Sequence, residues 1–473
     1  LIRQTLLNFT YSIFEMIHYS GLDDTIAAVT TPPGIGAIGI VRLSGTEALN
    51  IASTIFKGKD LLTQQSHTLH YGHIINREKE VVDEVVISIF LGPKSYTGEN
   101  MVEISGHGSP LILSQILETC IHVGARLALP GEFTQRAFLN GKMDLVQAEA
   151  VGDLIHATSK ASQQSALHHL KGKYSADLNE LRDRLIHFSA MIELELDFAD
   201  EDVEFADRAE FYSYLADIRT KTNRLLASFK LGNAIKNGIA VAIIGRPNAG
   251  KSTLLNALLN EERAIVSDIA GTTRDTIEES LHIKGYLFRL IDTAGIRHQT
   301  DDIIESMGIE RSKANAQKAD IILYVRDILD SEEPIDWMED YKGKTIEVWT
   351  KWDLFKINAT QQQLNLFANK ILLYPPDYHG CIEHLSNVLF DKAIGSSLSR
   401  EDTVVTNARH YEALTHIADN LEAISRGLDT GLTGDLLALD IRSCLYYLGL
   451  ITGRIDVDRD VLGKIFSSFC IGK

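Results

Sequence analysis

A chain of 473 residues that is 45% hydrophobic and 23% charged has room for about two to four globular domains. Its net charge of −18 excludes a protein coated in nucleic-acid-binding surface, while leaving room for a local basic site. The cysteines Cys120, Cys381, Cys444 and Cys470 form no Cys-x-x-Cys pair, which points to a reducing compartment, and no apolar stretch is long enough to span a bilayer.

Residues 1–15 are apolar but contain Arg3 and Glu15 and no small-residue cleavage site, so they make a poor signal or transit peptide. Residues 1–20 read as an extension, with Met16 the expected start. From there to about Asn140, strand-like runs at Ala37–Leu43 and Val81–Leu91 alternate with helical spacing at Leu113, Ile116, Leu117, Cys120 and Ile121. Cys120 is therefore expected in a core. The segment Gly34-Ile-Gly-Ala-Ile-Gly39 matches a dinucleotide-binding glycine pattern, but the strand-like Ile40–Leu43 follows it where a helix is required, so no such site is expected.

From Leu145 the pattern changes to long helices. Leu178, Leu181, Leu185, Phe188 and Ile192 keep a three-four spacing, which predicts a buried stripe of a bundle. The acidic stretch from Glu193 to Glu204 reads as a solvated turn rather than a metal site. Between about Asn237 and Gly395 strand and helix alternate as in an open α/β sheet, with further strands expected at Ile321–Val325 and Thr345–Trp349. Helical spacing resumes at Leu414, Ile417, Leu421 and Ile424 and again in Leu436–Leu450. The α/β segment is thus either inserted into one helical domain or set between two bundles.

The chemistry begins at Gly245-Arg-Pro-Asn-Ala-Gly-Lys-Ser-Thr253, which follows the apolar run Ile239–Ile244 and precedes Leu254, Leu255 and Leu258. A glycine-bounded loop between strand and helix presents main-chain N–H groups to an anion, reinforced by the helix dipole. Lys251 would reach the β- and γ-phosphates of a nucleoside triphosphate, and Ser252 would ligate Mg²⁺. A second strand-like run, Leu287–Ile291, ends in Asp292-Thr-Ala-Gly295, where a carboxylate can hold Mg²⁺ through water and a glycine N–H can meet the γ-phosphate. Between them, Ala270-Gly-Thr-Thr-Arg-Asp275 supplies hydroxyls for the Mg²⁺ shell. Thr350-Lys-Trp-Asp353 offers Asp353 to the N1–H and amino group of guanine and Lys351 to the face of the base. GTPases usually carry asparagine at the position of Thr350, and Pro375-Pro-Asp-Tyr378 stands where a serine-alanine pair normally contacts the base.

These motifs, together with Gly39-Ile-Val-Arg-Leu-Ser-Gly45, Pro130–Leu145 and the terminal Phe469-Cys-Ile-Gly-Lys473, resemble the tRNA-modification GTPase MnmE (TrmE) family from about Asp23 to the end of the chain. The resemblance implies an α/β plus α architecture. Residues 21–140 would be a tetrahydrofolate-binding and dimerisation domain, 141–236 and 397–473 the two parts of a discontinuous helical domain, and 237–396 an inserted Ras-like P-loop GTPase domain. It also implies a cytoplasmic homodimer that works with the FAD-containing protein MnmG on the wobble uridine of certain tRNAs. That enzyme would install an aminomethyl or carboxymethylaminomethyl group at C5, using a one-carbon unit from 5,10-methylene- or 5-formyltetrahydrofolate.

Carried over by position, the GTP site would comprise Asn248, Ala249, Gly250, Lys251, Ser252 and Thr253. Ser267, Asp268, Ile269, Ala270, Gly271, Thr272 and Thr273 would join them, with Asp292, Thr293, Ala294, Gly295, Thr350, Lys351 and Asp353. Mg²⁺ would be held by Ser252, Thr273 and Asp292, and K⁺ by Asn248, Ser267, Ile269 and Thr272. Glu305 would orient the attacking water, with Asp301 and Asp302 as rivals. The folate would meet Arg42, Glu103, Lys142 and Lys473, and Cys470 would assist the one-carbon chemistry. Two other readings are a regulatory GTP switch without modification chemistry and a divergent paralogue with relaxed base selectivity. Folate binding would separate the enzyme from the switch.

Overall fold

Every second residue of Val81–Phe90 faces inward, so that Asp83, Val85, Ile87 and Ile89 line one side of a strand whose other side is more exposed. That alternation is the mark of a sheet covered on one face. The computed structural model describes residues 24–197, 208–261, 279–291, 305–330, 333, 335–357, 360, 363, 367, 370–375, 377–395, 403–430, 432–454, 469 and 472. The chain divides into two units, residues 1–152 with 449–473, and residues 153–448.

In the first unit the strands are β1 (Ile26–Val29), β2 (Ile38–Ser44), β3 (Phe56–Lys57), β4 (Thr68–Ile75), β5 (Val81–Phe90), β6 (Met101–His107) and β7 (Arg126–Leu127). They form one sheet in the order β3-β4-β5-β6-β2-β1-β7, antiparallel except for the β1–β7 pair. Helices α1 (Ala48–Ile55) and α2 (Pro110–His122) bring Ile51, Ile55, Ile116 and Cys120 into a core with Val41, Leu43, Ile87 and Ile104. Burial pushes the Cys120 thiol up to about 12, which leaves it an inert packing group. The segment after Gly34 continues into β2, as its sequence predicts. Helix α3 (Glu132–Leu139) and the start of α4 (Leu145–Ile155) complete this unit, with Leu145 and Ala148 packed near Phe138, Met143 and Phe469.

The second unit contains helices α5 (Lys160–Leu170), α6 (Lys173–Asp197) and α7 (Arg208–Asn237). Leu178, Leu181, Leu185, Phe188 and Ile192 of α6 are all fully buried, as their spacing predicts. The acidic stretch beyond Asp197 lies outside the described residues up to Asp207. Gly238, with φ +77°, ends α7 in a left-handed turn that a residue with a side chain would resist, and the chain enters the sheet at the next residue.

That sheet is built from β8 (Ile239–Ile244), β9 (Glu279–Ile283), β10 (Tyr286–Leu290), β11 (Ile321–Asp327), β12 (Thr345–Thr350) and β13 (Ile371–Leu373), in the order β13-β12-β11-β8-β10-β9. All neighbours are parallel except the β9–β10 hairpin. Every residue of β8 is buried, because the strand is central and covered on both faces. On one face α8 (Lys251–Glu261) and α11 (Tyr378–Ile394) pack Leu254, Leu258, Leu385 and Leu389 onto Val241, Leu323 and Val348. On the other, Ala316 of α9 (Glu305–Lys318) and Met338 meet Ala242, Ile244 and Tyr324. The short α10 (Trp352–Lys356) follows β12. Helices α12 (Ala408–Thr430) and α13 (Gly434–Thr452) then return to the bundle, with Leu414, Ile417, Leu421 and Ile424 buried. Val405 joins the chain to α7, where its N–H donates to Ser228 Oγ at 3.0 Å and its carbonyl lies so close to Gly232 that a Cβ there would be 1.9 Å away. The sheet domain is therefore inserted between helices that pack on one another.

Candidate nucleotide and folate sites

In a parallel sheet the carboxyl ends of all strands lie along one edge, and ligands bind in the crevice beyond it. The loop Gly245–Gly250 leaves β8 at that edge. Its close approach to the sheet requires glycine at 245, where a Cβ would stand 2.4 Å from the Val325 carbonyl. Asn248 and Gly250 take left-handed backbone, with φ +58° and +93°, and Ala249 is buried beneath them. Lys251 opens α8, and its Nζ donates to the carbonyls of Gly245 at 2.8 Å and Arg246 at 2.7 Å. Burial holds the Lys251 ammonium below the usual lysine range. A half-buried cation curled onto its own loop is what a polyphosphate would draw outward. Ser252 and Thr253 follow in the first turn of α8, with Ser252 half-buried and Thr253 exposed.

Two strands over, β12 ends beside this loop. Thr350 is buried, and its hydroxyl donates to the Ala249 carbonyl at 2.8 Å, with the Arg326 carbonyl 3.2 Å away. Lys351 has left-handed backbone, φ +61°, and its Nζ pairs with Asp327 Oδ2 at 2.5 Å. Asp327 stands opposite Thr350 in the β11–β12 register, so the partner of Lys351 comes from the strand between β12 and the phosphate loop. Asp353 is half-buried in α10. The loop rests on an aromatic cluster of Trp349, Trp352, Phe355 and Phe367, and Arg326 lies 4.4 Å over the Trp349 ring. Pro375 sits in a bend at the same edge, followed by Asp377, which caps α11 by accepting from the Gly380 N–H at 3.1 Å.

Residues Ser267, Asp268, Ile269, Ala270, Gly271, Thr272 and Thr273 lie outside the described residues. So do Asp292, Thr293, Ala294, Gly295, Asp301, Asp302, Cys470 and Lys473. Glu305 is the first residue of α9.

The first unit brings together three residues far apart in sequence. Arg42 and Glu103 face each other in the β2–β6 register and form an ion pair through Nε at 2.9 Å and Nη2 at 2.8 Å, both to Oε1. Among the described residues Glu103 Oε2 has no hydrogen-bond partner. Arg42 Nη1 donates to the Gly472 carbonyl at 3.3 Å, and its guanidinium lies 5.7 and 5.5 Å from the ring centres of Tyr96 and Phe133. Lys142 Nζ donates to the Pro93 carbonyl at 2.8 Å. Asp327, Tyr96 and Phe133 were not legible as site residues, although strand-end position could have suggested Asp327.

Behind this cluster Arg136, 1% exposed, binds Asp24 Oδ1 at 2.7 Å, Glu132 Oε1 at 3.0 Å and Glu99 Oε1 at 3.1 Å. Burial works against ionisation of Asp24 and Glu132, but hydrogen bonds from Arg126 and, for Asp24, Arg136 hold both carboxyls below their usual range. Glu99 in turn accepts from Ser44 Oγ at 2.7 Å, two residues along β2 from Arg42.

A mostly parallel sheet carrying a glycine-bounded phosphate loop, with a Thr-Lys-Trp-Asp loop braced against it, defines a P-loop nucleotide-binding domain of the GTPase kind. The family model "GTP-binding protein TrmE N-terminus" matches residues 25–142, and the model "MnmE helical domain" matches residues 145–470. The chain is 49% identical over 466 residues to the tRNA modification GTPase MnmE of Flavobacterium johnsoniae, covering 95% of this chain and 99% of that one. It is 47% identical to the namesake from Cytophaga hutchinsonii, covering 95% and 98%, and 48% identical to that of Flavobacterium psychrophilum, covering 95% and 99%. The chain belongs to the MnmE family of tRNA modification GTPases, and it is a GTPase. No described helix is long and apolar enough to cross a membrane.

Proposed function

We propose that this protein is a K⁺-stimulated, guanine-selective GTPase that drives modification at C5 of the wobble uridine of certain tRNAs. It would do so in the cytoplasm, as a homodimer and together with an MnmG-type flavoprotein. The observation that carries the nucleotide part is the hydrogen bond between Thr350 and the phosphate loop, which joins the base-reading and phosphate-reading segments into one site.

Mg²⁺ and K⁺, when bound, would supply positive charge at the β- and γ-phosphates, where negative charge is redistributed in a loose transition state. Ser252, Thr273 and Asp292 suit the first ion; Asn248, Ser267, Ile269 and Thr272 suit the second. Lys251 is released from the Gly245 and Arg246 carbonyls to the phosphates, and Glu305 orients the attacking water. Asp353 accepts the N1–H and amino group of guanine, a donor pair that adenine lacks. In the first unit, Glu103 Oε2 would accept from the aminopyrimidine edge of a pterin while Arg42 holds Oε1. Lys142 and Lys473 suit the carboxylates of a folate tail, and Cys470 is proposed to assist the one-carbon chemistry.

The test is hydrolysis of GTP, ATP and XTP by the full chain in K⁺ and in Na⁺. K⁺-stimulated turnover selective for GTP is expected; equal ATP turnover removes the central claim. For the modification chemistry, intact tRNA modification by Cys470→Ser would remove that cysteine from the mechanism.

A further inference from the structure

Asp327 is the last residue of β11, at the edge of the sheet where the phosphate loop and the Thr350–Asp353 loop also begin. Its carboxylate is divided between two tasks. Oδ1 accepts from the Leu329 N–H at 3.0 Å, which shapes the turn after the strand. Oδ2 accepts from Lys351 Nζ at 2.5 Å, across 24 residues of sequence. The Ile328 N–H donates to the Thr350 carbonyl at 3.3 Å, so main chain and side chain together tie this turn to Thr350 and Lys351.

Lys351 is a residue that needs holding. It is the N-cap of α10 in left-handed backbone, and its side chain makes no capping bond. A residue with a side chain keeps that conformation only where its surroundings impose it. Among the described residues, Asp327 alone accepts a hydrogen bond from the Lys351 ammonium. Lysine has a flexible four-carbon stem, and a stem already ordered loses less freedom when a base settles along it. Lys351 also opens the turn that carries Asp353, with the buried Trp352 between them.

We propose that Asp327 is a positioning residue of the nucleotide site, which presets the base-reading loop by holding Lys351. It acts through Lys351 and sets affinity for guanine nucleotides, diphosphate and triphosphate alike. This rests on the reading of Lys351 as the residue that lies along the base.

The experiment uses the full chain with Mg²⁺. GDP and the non-hydrolysable analogue guanylyl imidodiphosphate are titrated calorimetrically, and GTP hydrolysis is measured at steady state. The variants are Asp327→Asn, Lys351→Met and the two combined. Asparagine keeps an oxygen for the Leu329 N–H and removes only the charge. Asp327→Ser, which also keeps an oxygen, repeats the measurement if the melting temperature of the first variant falls.

Asp327→Asn is expected to weaken GDP and the analogue equally, by about tenfold, a modest loss for a charged hydrogen bond because the two side chains are 17% and 37% exposed. KM for GTP rises by the same factor while kcat at saturation is unchanged, since the pair acts on ground state and transition state alike. Removing a negative charge beside a polyanion would by itself favour binding, so this loss has the opposite sign from a general charge effect. In the Lys351→Met background the same substitution weakens nothing further.

Unchanged affinity in Asp327→Asn overturns the proposal. So does tighter binding, which would mean that Asp327 competes with the nucleotide for Lys351. An equal loss in the Lys351→Met background also overturns it, because Asp327 would then act through the Leu329 turn. If Lys351→Met binds as the wild type does, the base-reading role of Lys351 falls together with the proposal. If Lys351→Met is weakened and Asp327→Asn is not, the proposal falls and the reading of Lys351 stands.

Discussion

The hydroxyl of Thr350 donates to the main-chain oxygen of Ala249 at 2.8 Å, so the residue where GTPases usually carry asparagine still braces the phosphate loop. A Cβ on Gly250 would come within 3.0 Å of the Thr350 methyl, so the loop and this side chain are in close contact. Thr350→Val keeps the methyl packing and removes the bond, leaving the buried Ala249 carbonyl unpaired. Such a loss costs about 1–3 kcal/mol, so kcat/KM for GTP is expected to fall about tenfold or more. Because the discrimination of bases is assigned to Asp353, the GTP-to-ATP ratio of Thr350→Val stays unchanged. Asp353→Asn shifts the preference toward XTP. Steady-state kinetics with the three nucleotides checks both.

Lys251 makes GTP binding pH-dependent in a defined direction. Its pKa is lowered by burial in the nucleotide-free protein, and triphosphate charges would restore the ammonium. The folded-state value lies below the unfolded one, so the contribution of Lys251 to stability is fully present above the ordinary lysine pKa and is lost as pH falls through the lowered value. GTP binding at a pH between the lowered value and the ordinary one takes up a proton. Calorimetry in buffers of differing ionisation enthalpy measures that uptake, and Lys251→Met abolishes it together with at least about a hundredfold of turnover.

Arg136 holds three carboxylates in the first unit, and its removal takes one of two guanidinium partners from Asp24 and Glu132 and breaks the ion pair to Glu99. Arg136→Met is expected to destabilise this unit by about 3 kcal/mol. The folded-state pKa values of Asp24 and Glu132 are lowered, so their stabilisation is fully present above the ordinary carboxylate pKa of about 4 and is lost as pH falls through the lowered values. The thermal stability of the wild type therefore falls below about pH 4, and Arg136→Met moves that loss to higher pH.

Arg42 and Glu103 act as a pair. Glu103→Gln weakens the charge-assisted bond to Arg42 and the acceptor offered to a pterin, and Arg42→Met frees the Gly472 carbonyl as well. Both variants are expected to bind 5-formyltetrahydrofolate at least about tenfold more weakly, read by fluorescence titration. Wild-type affinity in both would remove this cluster from the folate site.

What was legible in the sequence follows from local rules. The glycine-bounded loop with Lys251 and Ser252 needs only a strand before it and a helix after it, and periodicity supplied both. The buried stripe of α6 and the core position of Cys120 follow from the same three-four spacing. What stayed hidden depends on which strands become neighbours. Arg42 and Glu103 are 61 residues apart, and antiparallel pairing of β2 with β6 alone sets them opposite each other.

The sequence by itself determined the ligand class and the family, because phosphate-binding loops and helical stripes are written in consecutive residues. The tertiary structure alone decided how those pieces are joined. Parallel register placed Asp327 against Lys351, and close packing let a threonine brace the phosphate loop. Each of these depends on distances across the fold, which no local pattern of residues encodes.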